Sequence, residues 1–505
     1  MRLTISRFLS GLREKGFSVS LSADGLQFKG DPAALSSDEM RMLDARRDEI
    51  LLFLRAHKST AMPRLTADPN ALHPSQAQLS WWRWIRQSPV QLSHERVPMV
   101  RNYAGVTALQ AEQALRQMVA RHPVLRAHYN EQDGALAVRL QPEEAFAVAL
   151  ENAPAGLTQE AARDHITQRA LDFVGQALPV DGPWLFKAKI IAAPGEIAVA
   201  LLFAHMIVDG MSSGLLAAEL DTRLTGPQEA RIALETPAAQ FFDYAASEQA
   251  WLQGPQGAAL TDYWLDWVGR QSGLKAPGSG MVLEWRPGLN VSHAFTIPRA
   301  ARDAVQALGL RHRTSASSTF LTLFAMALAR WSGQQHFPIR AVGNLRRTPA
   351  LASTVGFMVC IDPIEVQVPP GADFAALLKS VTMDYYNAAM LRLPGFLKFP
   401  PQAAHPGVEQ LKLGEAIAAS FNFMPGQRPT DNTGGTNDLI WPPAIETVTR
   451  ENWAASLWPI YLRLADAGGD TLGLFQFNEE IVSPADQSAL MAQFFAVIAE
   501  TAFPA

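Results

Sequence analysis

Residues Ile197–Gly210, with the sequence IAVALLFAHMIVDG, decide the fold of this chain. The first eight positions form an unbroken apolar run rich in branched side chains, which predicts a buried β-strand. His205 follows the run, Asp209 lies four residues after His205, and Gly210 comes next. Small residues and then leucines at helical spacing come next. The segment therefore predicts a strand, a short turn and a helix, with an imidazole at the end of the strand.

The position of His205 suggests a chemical role. A histidine at the end of a buried strand is held on a rigid element beside a turn, and its imidazole changes charge near neutral pH. A general base needs both properties. We therefore predict that His205 is a general base, or at least a positioning group. A purely structural histidine is the alternative.

Composition limits the protein classes. The chain has 505 residues, of which 48% are apolar and 18% charged, and its net charge is −5. These values predict two or three globular units. They argue against nucleic-acid binding, because the chain lacks the net positive charge that attracts nucleic acids. Cys360 is the only cysteine, so an internal disulfide is excluded, and the histidines show no metal-ligand spacing. The apolar runs are too short for a bilayer and no signal peptide is evident, so we expect a cytoplasmic protein.

Residues 1–58 are predicted to form a small unit of helix, hairpin and helix. Apolar residues alternate with serines between Phe17 and Gly30, which predicts the hairpin. A capping box at Ser36 predicts the start of a second helix. The first helix is indicated by apolar residues at positions i, i+3, i+4 and i+7, namely Ile5, Phe8, Leu9 and Leu12. A unit of this size has a thin core, and its hairpin offers an edge to another strand.

The remaining chain is predicted to contain a linker and two halves. Residues 59–71 have the composition of a linker. The first half spans residues 72–252 and the second spans residues 253–505. Gly254–Gly257 predicts a loop at the boundary between them. In the second half, a long apolar helix is predicted to begin near Thr314.

Several short motifs resemble, in order, those of the condensation domains of nonribosomal peptide synthetases, which belong to the chloramphenicol-acetyltransferase-like superfamily. Ala204–Gly210 resembles the HHxxxDG signature, with the second histidine, the aspartate and the glycine in place. Four other stretches resemble SxAQxxLW, RHExLRTxF, YxDYA and IGxFVNT, namely His73–Trp82, Arg121–Tyr129, Phe242–Ala245 and Val355–Cys360. The resemblance covers residue 72 to the C-terminus. It implies an α/β fold of two similar halves in a V around a central tunnel.

The resemblance implies an acyltransferase. The donor is an acyl or peptidyl thioester on the phosphopantetheine of a carrier protein, and the acceptor is an amine or a hydroxyl. The product is an amide or an ester, and no cofactor or metal is bound directly. His205 takes the role of general base or positioning group. Gly210 has no side chain and lets the backbone approach the thioester, and its N–H faces the developing oxyanion.

The resemblance assigns Asp209 a structural role rather than that of a relay to the imidazole. In the family this aspartate pairs with an arginine and so holds the loop that carries the histidine. The arginine is expected about ten residues before Gly356. Arg346 occupies that position, with Arg347 as the fallback.

Two departures from the family pattern affect this reading. Ala204 stands where the first histidine of the signature is expected, which indicates a specialised or weakened member. Asp384–Asn387 stands where the family often has a His-Gln-Asp-like segment, so donor-side contacts are not carried over to it. No DxxxxD replaces the histidine motif, which argues against heterocyclisation.

Residues 1–58 resemble the β-hairpin docking domains of the TubC type. This resemblance implies that an acidic C-terminal tail of an upstream synthetase subunit pairs with the hairpin. Five basic residues are candidate charge partners for such a tail: Lys29, Arg13, Lys15, Arg46 and Arg47. Solvated surface charge is the alternative for each of them.

The chain ends shortly after the condensation-like body, and no carrier-type attachment motif stands out. We therefore expect a free-standing enzyme that receives its donor from a carrier protein and its acceptor as a free molecule or on a second carrier. Two alternatives stay open. An acyl-CoA-dependent acyltransferase is disfavoured by the docking-like unit, because CoA needs no protein tether. A non-catalytic recruitment domain is disfavoured by the intact His205, Asp209 and Gly210.

Overall fold

The computed structural model describes residues 4–22, 25–58, 68, 71–87, 96–132, 135–235, 239–269, 273–275, 277, 283, 290–392, 417–425, 445–451, 459–466 and 469–503. The chain forms two compact units. Unit 1 comprises Met1–Thr60, Leu252–Gly343 and Cys360–Ala505, and unit 2 comprises Ala61–Trp251 and Asn344–Val359. The predicted linker 59–71 lies outside the described residues, apart from positions 68 and 71. The predicted domain boundaries stay predictions.

The helices of the described residues, numbered along the chain, are α1 (Ile5–Glu14), α2 (Ser37–Ala45), α3 (Arg47–Lys58), α4 (Gln76–Gln87), α5 (Ala108–Arg121), α6 (Gln159–Val174), α7 (Gly210–Thr225), α8 (Gln228–Ala233), α9 (Phe241–Gln253), α10 (Pro255–Gly269), α11 (Arg299–Arg311), α12 (Ala316–Ser332), α13 (Phe374–Met390) and α14 (Pro484–Ala502). None of these helices combines the length and apolar character needed to cross a bilayer.

The strands of the described residues are β1 (Ser18–Ser22), β2 (Gly25–Lys29), β3 (Arg96–Ala104), β4 (Ala127–Gln132), β5 (Ala135–Leu140), β6 (Val148–Asn152), β7 (Phe186–Ala193), β8 (Glu196–Ala204), β9 (Asn290–Ile297), β10 (His336–Asn344), β11 (Val359–Gln367), β12 (Ala419–Pro425), β13 (Ile445–Glu451), β14 (Ile460–Asp466) and β15 (Thr471–Asn478). Helices and strands of both units confirm the predicted mixed α/β class.

Unit 2 is organised around β8. The sheet order is β3-β8-β7-β6, and β8 runs antiparallel to both of its neighbours. Every residue from Ala198 to Ala204 has no exposed surface, so both faces of the strand are covered, and α6 packs against β7 and β8. This double burial explains the continuous apolar run. Each large side chain in it contributes roughly 1.5–3 kcal/mol.

The predicted strand, turn and helix are confirmed. β8 ends at Ala204, a turn follows, and α7 begins at Gly210. Asp209 is the N-cap of α7, because its Oδ1 accepts a hydrogen bond from the backbone N–H of Ser212 at 2.7 Å. A cap of this kind contributes about 1 kcal/mol. The turn between strand and helix therefore has defined ends.

Unit 1 contains a sheet of order β11-β10-β12-β14-β15-β9-β13 among the described residues. β12 runs parallel to β10 and β14, whereas β15 runs antiparallel to β14 and β9. The predicted apolar helix is α12, which Ser315 caps at its start and Gly333 ends with a φ of 70°. α11, α13 and α14 pack against α12.

The expected loop at Gly254–Gly257 is wrong. α10 begins at Pro255, a residue well suited to the first position of a helix, so only Gly254 separates it from α9. Gly257 is required for close packing, because a Cβ atom there would lie 2.5 Å from the Cα of Leu252. In the sequence, a glycine that is needed because two backbone segments lie close together cannot be told from a glycine in a loop.

The N-terminal segment has the predicted hairpin and capping box. Ser18–Ser22 pairs with Gly25–Lys29, and the Ser36 and Glu39 side chains each bind the other's backbone N–H. The single second helix is wrong, because α2 and α3 are separated at Arg46. That residue leaves the helical conformation, and its buried guanidinium binds the carboxylate of Glu49 at 2.8 and 2.9 Å.

α1 is attached to α13 by polar contacts within unit 1. Arg7 forms an ion pair with Asp384, whose side chain is 1% exposed, and the Thr4 hydroxyl donates to the same carboxylate at 2.9 Å. The backbone N–H of Ser6 donates to the side-chain carbonyl of Asn387 at 3.2 Å. Segment 384–387, which departs from the family pattern, thus binds the first turn of α1.

Candidate active site

His205 occupies the turn between β8 and α7 and is partly buried. Its Nδ1 lies 3.0 Å from the backbone carbonyl oxygen of Val208. A carbonyl can only accept, so this hydrogen bond requires the proton of the neutral ring to be on Nδ1. The lone pair is then on Nε2. The imidazole is therefore held in the tautomer in which Nε2 can accept a proton from a substrate.

Two aromatic rings flank the imidazole. The ring centroids of Trp81 and Phe357 lie 5.4 and 5.3 Å from that of His205, and the two rings are 5.3 Å from each other. Such packing restricts rotation of the imidazole about its side-chain bonds. Sequence analysis placed both residues within motifs but placed neither beside His205. A single sequence does not show that these two distant motifs converge on His205.

Asp209 and Arg346 form a buried ion pair. The Nη1 and Nη2 atoms of Arg346 lie 2.8 and 3.1 Å from the two carboxylate oxygens of Asp209. The side chain of Arg346 is 1% exposed and that of Asp209 is 3% exposed. The carboxylate also accepts from the backbone N–H of Met358 at 3.0 Å. The Asp209 carboxylate therefore binds segment 344–359, whereas the Nδ1 of His205 is bonded to Val208 O. In the structure Arg346, rather than Arg347, makes this pair.

Ser212 and Gly356 extend the same network. The Ser212 hydroxyl lies 2.8 Å from Asp209 Oδ1 and accepts hydrogen bonds from Arg346 Nη2 at 2.7 Å and from Gly356 N–H at 3.0 Å. Gly356 has no room for a side chain, because a Cβ atom would lie 2.1 Å from the Phe241 ring. These contacts fix the first turn of α7 against segment 344–359.

Gly210 and Ala204 lie at opposite ends of the turn. Gly210 is the first residue of the 16-residue helix α7, where backbone N–H groups have no acceptor within the helix. Ala204 ends β8 opposite Arg96 of β3 and has no exposed surface. The position that departs from the family signature is therefore an interior position.

Gln78 is a residue of the site that sequence analysis did not select. Its Nε2 donates to the carbonyl oxygen of Met206 at 2.9 Å and to the Tyr129 hydroxyl at 2.6 Å. Its Oε1 accepts from the backbone N–H of Ser75 at 3.1 Å. Met206 follows His205 in the chain, so the start of α4 is bonded to the turn that carries the imidazole.

Glu248 anchors the start of α4 from a second side. Its carboxylate accepts from the Gln76 backbone N–H and from the Tyr244 hydroxyl, both at 2.6 Å. Burial raises the pKa of Glu248 to about 7, although both hydrogen bonds lower it. This carboxyl group therefore titrates in the physiological pH range.

The five predicted docking residues differ in their surroundings. Arg13, Lys29 and Arg47 are exposed. Lys15 binds Glu39 at 2.7 Å and holds the pKa of that carboxyl at about 2. Arg46 is 5% exposed and binds Glu49. Of these five residues, only Arg13, Lys29 and Arg47 are exposed and form no ion pair within the part of the chain that the structure describes.

Among the residues that the structure describes, no three histidine, cysteine or acidic side chains are grouped as a metal site would require. The site geometry therefore consists of an oriented imidazole, its aromatic neighbours, a buried ion pair and a helix N-terminus.

A family model described as "Condensation domain" matches residues 98–394, more than half of the chain. The chain belongs to the condensation-domain family, whose members are acyl or peptidyl transferases. Relatives include one of the subunits of the linear gramicidin synthase of Brevibacillus parabrevis, 26% identical over 96% of this chain, and phosphinothricin tripeptide synthetase PhsC of Streptomyces viridochromogenes, 25% identical over 90%. The chain spans 6% and 41% of their respective lengths.

One solved structure supports the same family, and another shares the fold. One, described as "Molecular basis for condensation domain-mediated chain release from the enacyloxin polyketide synthase", has a TM-score of 0.87 and 35% identity, with 100% of this chain and 96% of that chain covered. The cyclization-docking bidomain of the EpoB synthetase from Sorangium cellulosum has a TM-score of 0.65 and 13% identity, with 99% and 98% of the chains covered. The second similarity is one of fold.

Proposed function

We propose that this protein condenses an acyl or peptidyl thioester, carried on the phosphopantetheine arm of a carrier protein, with an amine or hydroxyl acceptor. The observation that carries the proposal is the Nδ1–Val208 hydrogen bond, which leaves Nε2 of His205 as the basic nitrogen. Carrier proteins are the partners that its peptide synthetase relatives imply.

The proton path follows from this tautomer. Nε2 of His205 accepts the proton of the acceptor as its nitrogen or oxygen attacks the thioester carbonyl. The new C–N or C–O bond forms, the C–S bond breaks, and the proton passes from the imidazolium to the departing thiolate. The products are an amide or ester and a free carrier thiol. No covalent bond to the protein is needed.

The start of α7 supplies electrostatic support in this mechanism. The Gly210 N–H lies at the positive end of the helix and stabilises the negative oxygen of the tetrahedral intermediate. The Asp209–Arg346 pair fixes that end against segment 344–359. In the proposed mechanism, Asp209 and Arg346 therefore act on position and not on proton transfer.

Chain release onto a free acceptor is the proposed biological role. Support comes from the 35% identity to the condensation domain described as mediating chain release from the enacyloxin polyketide synthase. In this role the enzyme acts in trans on a donor that another synthetase subunit carries. The hairpin β1–β2 would receive an acidic tail of that subunit. Three exposed basic residues would face its charge: Lys29 in β2, Arg13 in α1 and Arg47 in α3.

Intact-protein mass spectrometry tests the proposal. An acyl-loaded carrier protein is mixed with panels of amines and alcohols, with the wild-type chain, with His205→Asn, or without enzyme. We expect loss of the acyl mass from the carrier and a matching amide or ester only with the wild-type chain. Equal loss in all three arms would overturn the proposal.

The same assay separates the alternatives. An acyl-CoA donor replaces the loaded carrier in one arm, and binding of the carrier without turnover is measured in another. Faster turnover of acyl-CoA than of the loaded carrier would indicate a CoA-dependent acyltransferase. Tight carrier binding with no turnover of any acceptor would indicate a recruitment domain.

A further inference from the structure

Every hydrogen-bonding position of the Gln78 amide nitrogen is used. One Nε2 proton is donated to Met206 O and the other to the Tyr129 hydroxyl, at 2.9 and 2.6 Å. The orientation of the amide is defined by chemistry, because Met206 O can only accept and the Ser75 N–H can only donate to Oε1. Gln78 and Tyr129 have no exposed surface. A buried amide with all these partners has a single orientation.

Gln78 and Trp81 act from the same face of α4. They are three residues apart, and residues at i and i+3 are neighbours on a helix. Gln78 binds the backbone of the residue after His205, and Trp81 lies against the imidazole ring itself. One helix face therefore contacts both the backbone and the side chain of the turn.

The turn leaves little freedom elsewhere. Met206, Ile207 and Val208 have no exposed surface, and the Ile207 N–H donates to Ala204 O at 3.0 Å. Val208 O is the acceptor for His205 Nδ1. A shift of the Met206 peptide would move the Val208 carbonyl two residues later, and with it the acceptor that selects the tautomer.

We propose that Gln78 is a positioning residue for the condensation reaction: by binding Met206 O it holds the turn in which Val208 O keeps the proton of His205 on Nδ1. This inference rests on the proposed function. Gln78 does not contact the reacting atoms in this scheme. Its effect is transmitted through the backbone between Met206 and Val208.

Gln78→Met is the main test, because methionine fills the same volume without hydrogen bonds. Per folded molecule, we expect kcat to fall between about 10-fold and 100-fold, as for a displaced catalytic group, with KM changed by less than about twofold. Tyr129→Phe is the matched control, because it removes one partner of Gln78 and keeps the Met206 bond. It should retain kcat within about threefold. Equal kcat losses in both variants would assign the effect to general packing and overturn the proposal.

Gln78→Glu gives a pH signature that a structural role does not. A protonated carboxyl group can donate to Met206 O, whereas the ionised form places two acceptors against each other. The ratio of its kcat to that of the wild-type chain should therefore rise as pH falls. Gln159→Glu, which adds the same charge at an exposed position of α6, should give a flat ratio. A flat ratio for Gln78→Glu would contradict the proposal.

An NMR measurement on 15N-histidine-labelled full-length protein separates the effect of Gln78 on the His205 tautomer from the proposed condensation activity. The His205 signal is identified by its loss in His205→Asn. We expect an Nδ1-protonated ring in the wild-type chain and a mixture of tautomers in Gln78→Met. If the tautomers shift but the wild-type chain catalyses nothing, the proposed function fails, whereas control of the His205 tautomer by Gln78 is supported. An unchanged tautomer in Gln78→Met overturns the positioning role.

Discussion

The Nδ1 atom of His205 lies 3.0 Å from the carbonyl oxygen of Val208, three residues later in the same turn. The imidazole is thus oriented by a neutral backbone group and not by a carboxylate. A neutral acceptor fixes the tautomer without holding an imidazolium as strongly as a negative charge would. In the proposed mechanism, this favours passing the proton of the acceptor on to the leaving thiolate.

His205→Ala should lower turnover by about 10²-fold or more, because it removes the basic nitrogen. His128→Ala is a matched control, since His128 also directs Nδ1 to a carbonyl, that of Gly182 at 3.1 Å. Steady-state rates with a loaded carrier measure both. A similar loss in the two variants would show that the effect is structural.

His205→Asn separates orientation from basicity. The asparagine amide can donate to Val208 O as the imidazole does, but it cannot accept a proton at neutral pH. We expect thermal stability close to that of the wild-type chain and turnover as low as that of His205→Ala. Wild-type turnover in this variant would exclude proton transfer by His205.

Asp209→Ala should destabilise unit 2 by about 3–5 kcal/mol, because it leaves the Arg346 guanidinium buried without its partner. Glu112→Ala, in α5 of the same unit, breaks an ion pair with Arg116, and the side chains of Glu112 and Arg116 are 38% and 44% exposed. Its cost should be at most about 1 kcal/mol. Urea unfolding compares the two. Equal midpoint shifts would show that the burial of the Asp209 pair has no energetic weight.

Ala204→His should not raise turnover, although it recreates the family signature. Ala204 has no exposed surface, so a larger side chain overpacks the interior and costs about 1–3 kcal/mol. Ala104→His, at the exposed end of neighbouring β3, should leave the melting temperature unchanged. A severalfold gain in turnover without loss of stability would show that the interior adapts to a first histidine.

Glu248 should make stability depend on pH. Its pKa is about 7 in the folded chain and about 4.5 ordinarily, so between these values the folded state binds more protons than the unfolded state. The free energy of unfolding should therefore fall, by up to about 3 kcal/mol, as pH rises from 4.5 to above 7.

Glu248→Gln should remove this pH dependence, since the amide does not titrate and the Tyr244 hydroxyl can turn from donating to accepting. Glu229→Gln, at an exposed position of α8, should keep it. Melting temperatures between pH 4.5 and 8.5 measure the difference. Parallel curves for the wild-type chain and Glu248→Gln would show that Glu248 does not titrate in this range.

If the hairpin receives an acidic tail as proposed, Lys29→Glu should weaken binding of the full-length chain to an acidic C-terminal tail peptide of a synthetase subunit. Affinity for the wild-type chain should fall with added salt, because exposed charges are screened over about 8 Å at physiological ionic strength. Arg311→Glu, at an exposed position of α11, is the control. Titration by fluorescence anisotropy measures both. Equal affinities for both variants would exclude the hairpin charge as a determinant.

The strand, turn and helix around His205 were predictable because their signals are local. An apolar run, a capping residue and helical spacing all lie within Ile197–Gly210 and the residues just after it. The second-helix and loop predictions failed at Arg46 and Gly257. The contacts there join residues only three and five positions apart, Arg46 with Glu49 and Gly257 with Leu252. They depend on burial and on the path of the backbone, which residue type and spacing alone do not show.

The site itself was only partly accessible from sequence. Asp209 and Arg346 are 137 residues apart, and only a family resemblance suggested that they meet. Gln78 and Met206 are 128 residues apart, and no resemblance gave the amide a role. Hydrogen bonds of this kind depend on the register of whole elements, which a single sequence does not fix.

The ion pair between Arg7 and Asp384 bears on attempts to exchange the N-terminal segment as a cassette between synthetases. Burial raises the pKa of Asp384 to about 7 although Arg7 lowers it, so a transplanted segment without a matching cation would leave this carboxyl group, 1% exposed, protonated at neutral pH and without its ion pair. The Thr4 hydroxyl, which also binds Asp384, would be lost with it, and the bond from the Ser6 backbone N–H to Asn387 would depend on the new segment following the same path. A functional chimera therefore has to carry the first turn of α1 and segment 384–387 from the same parent.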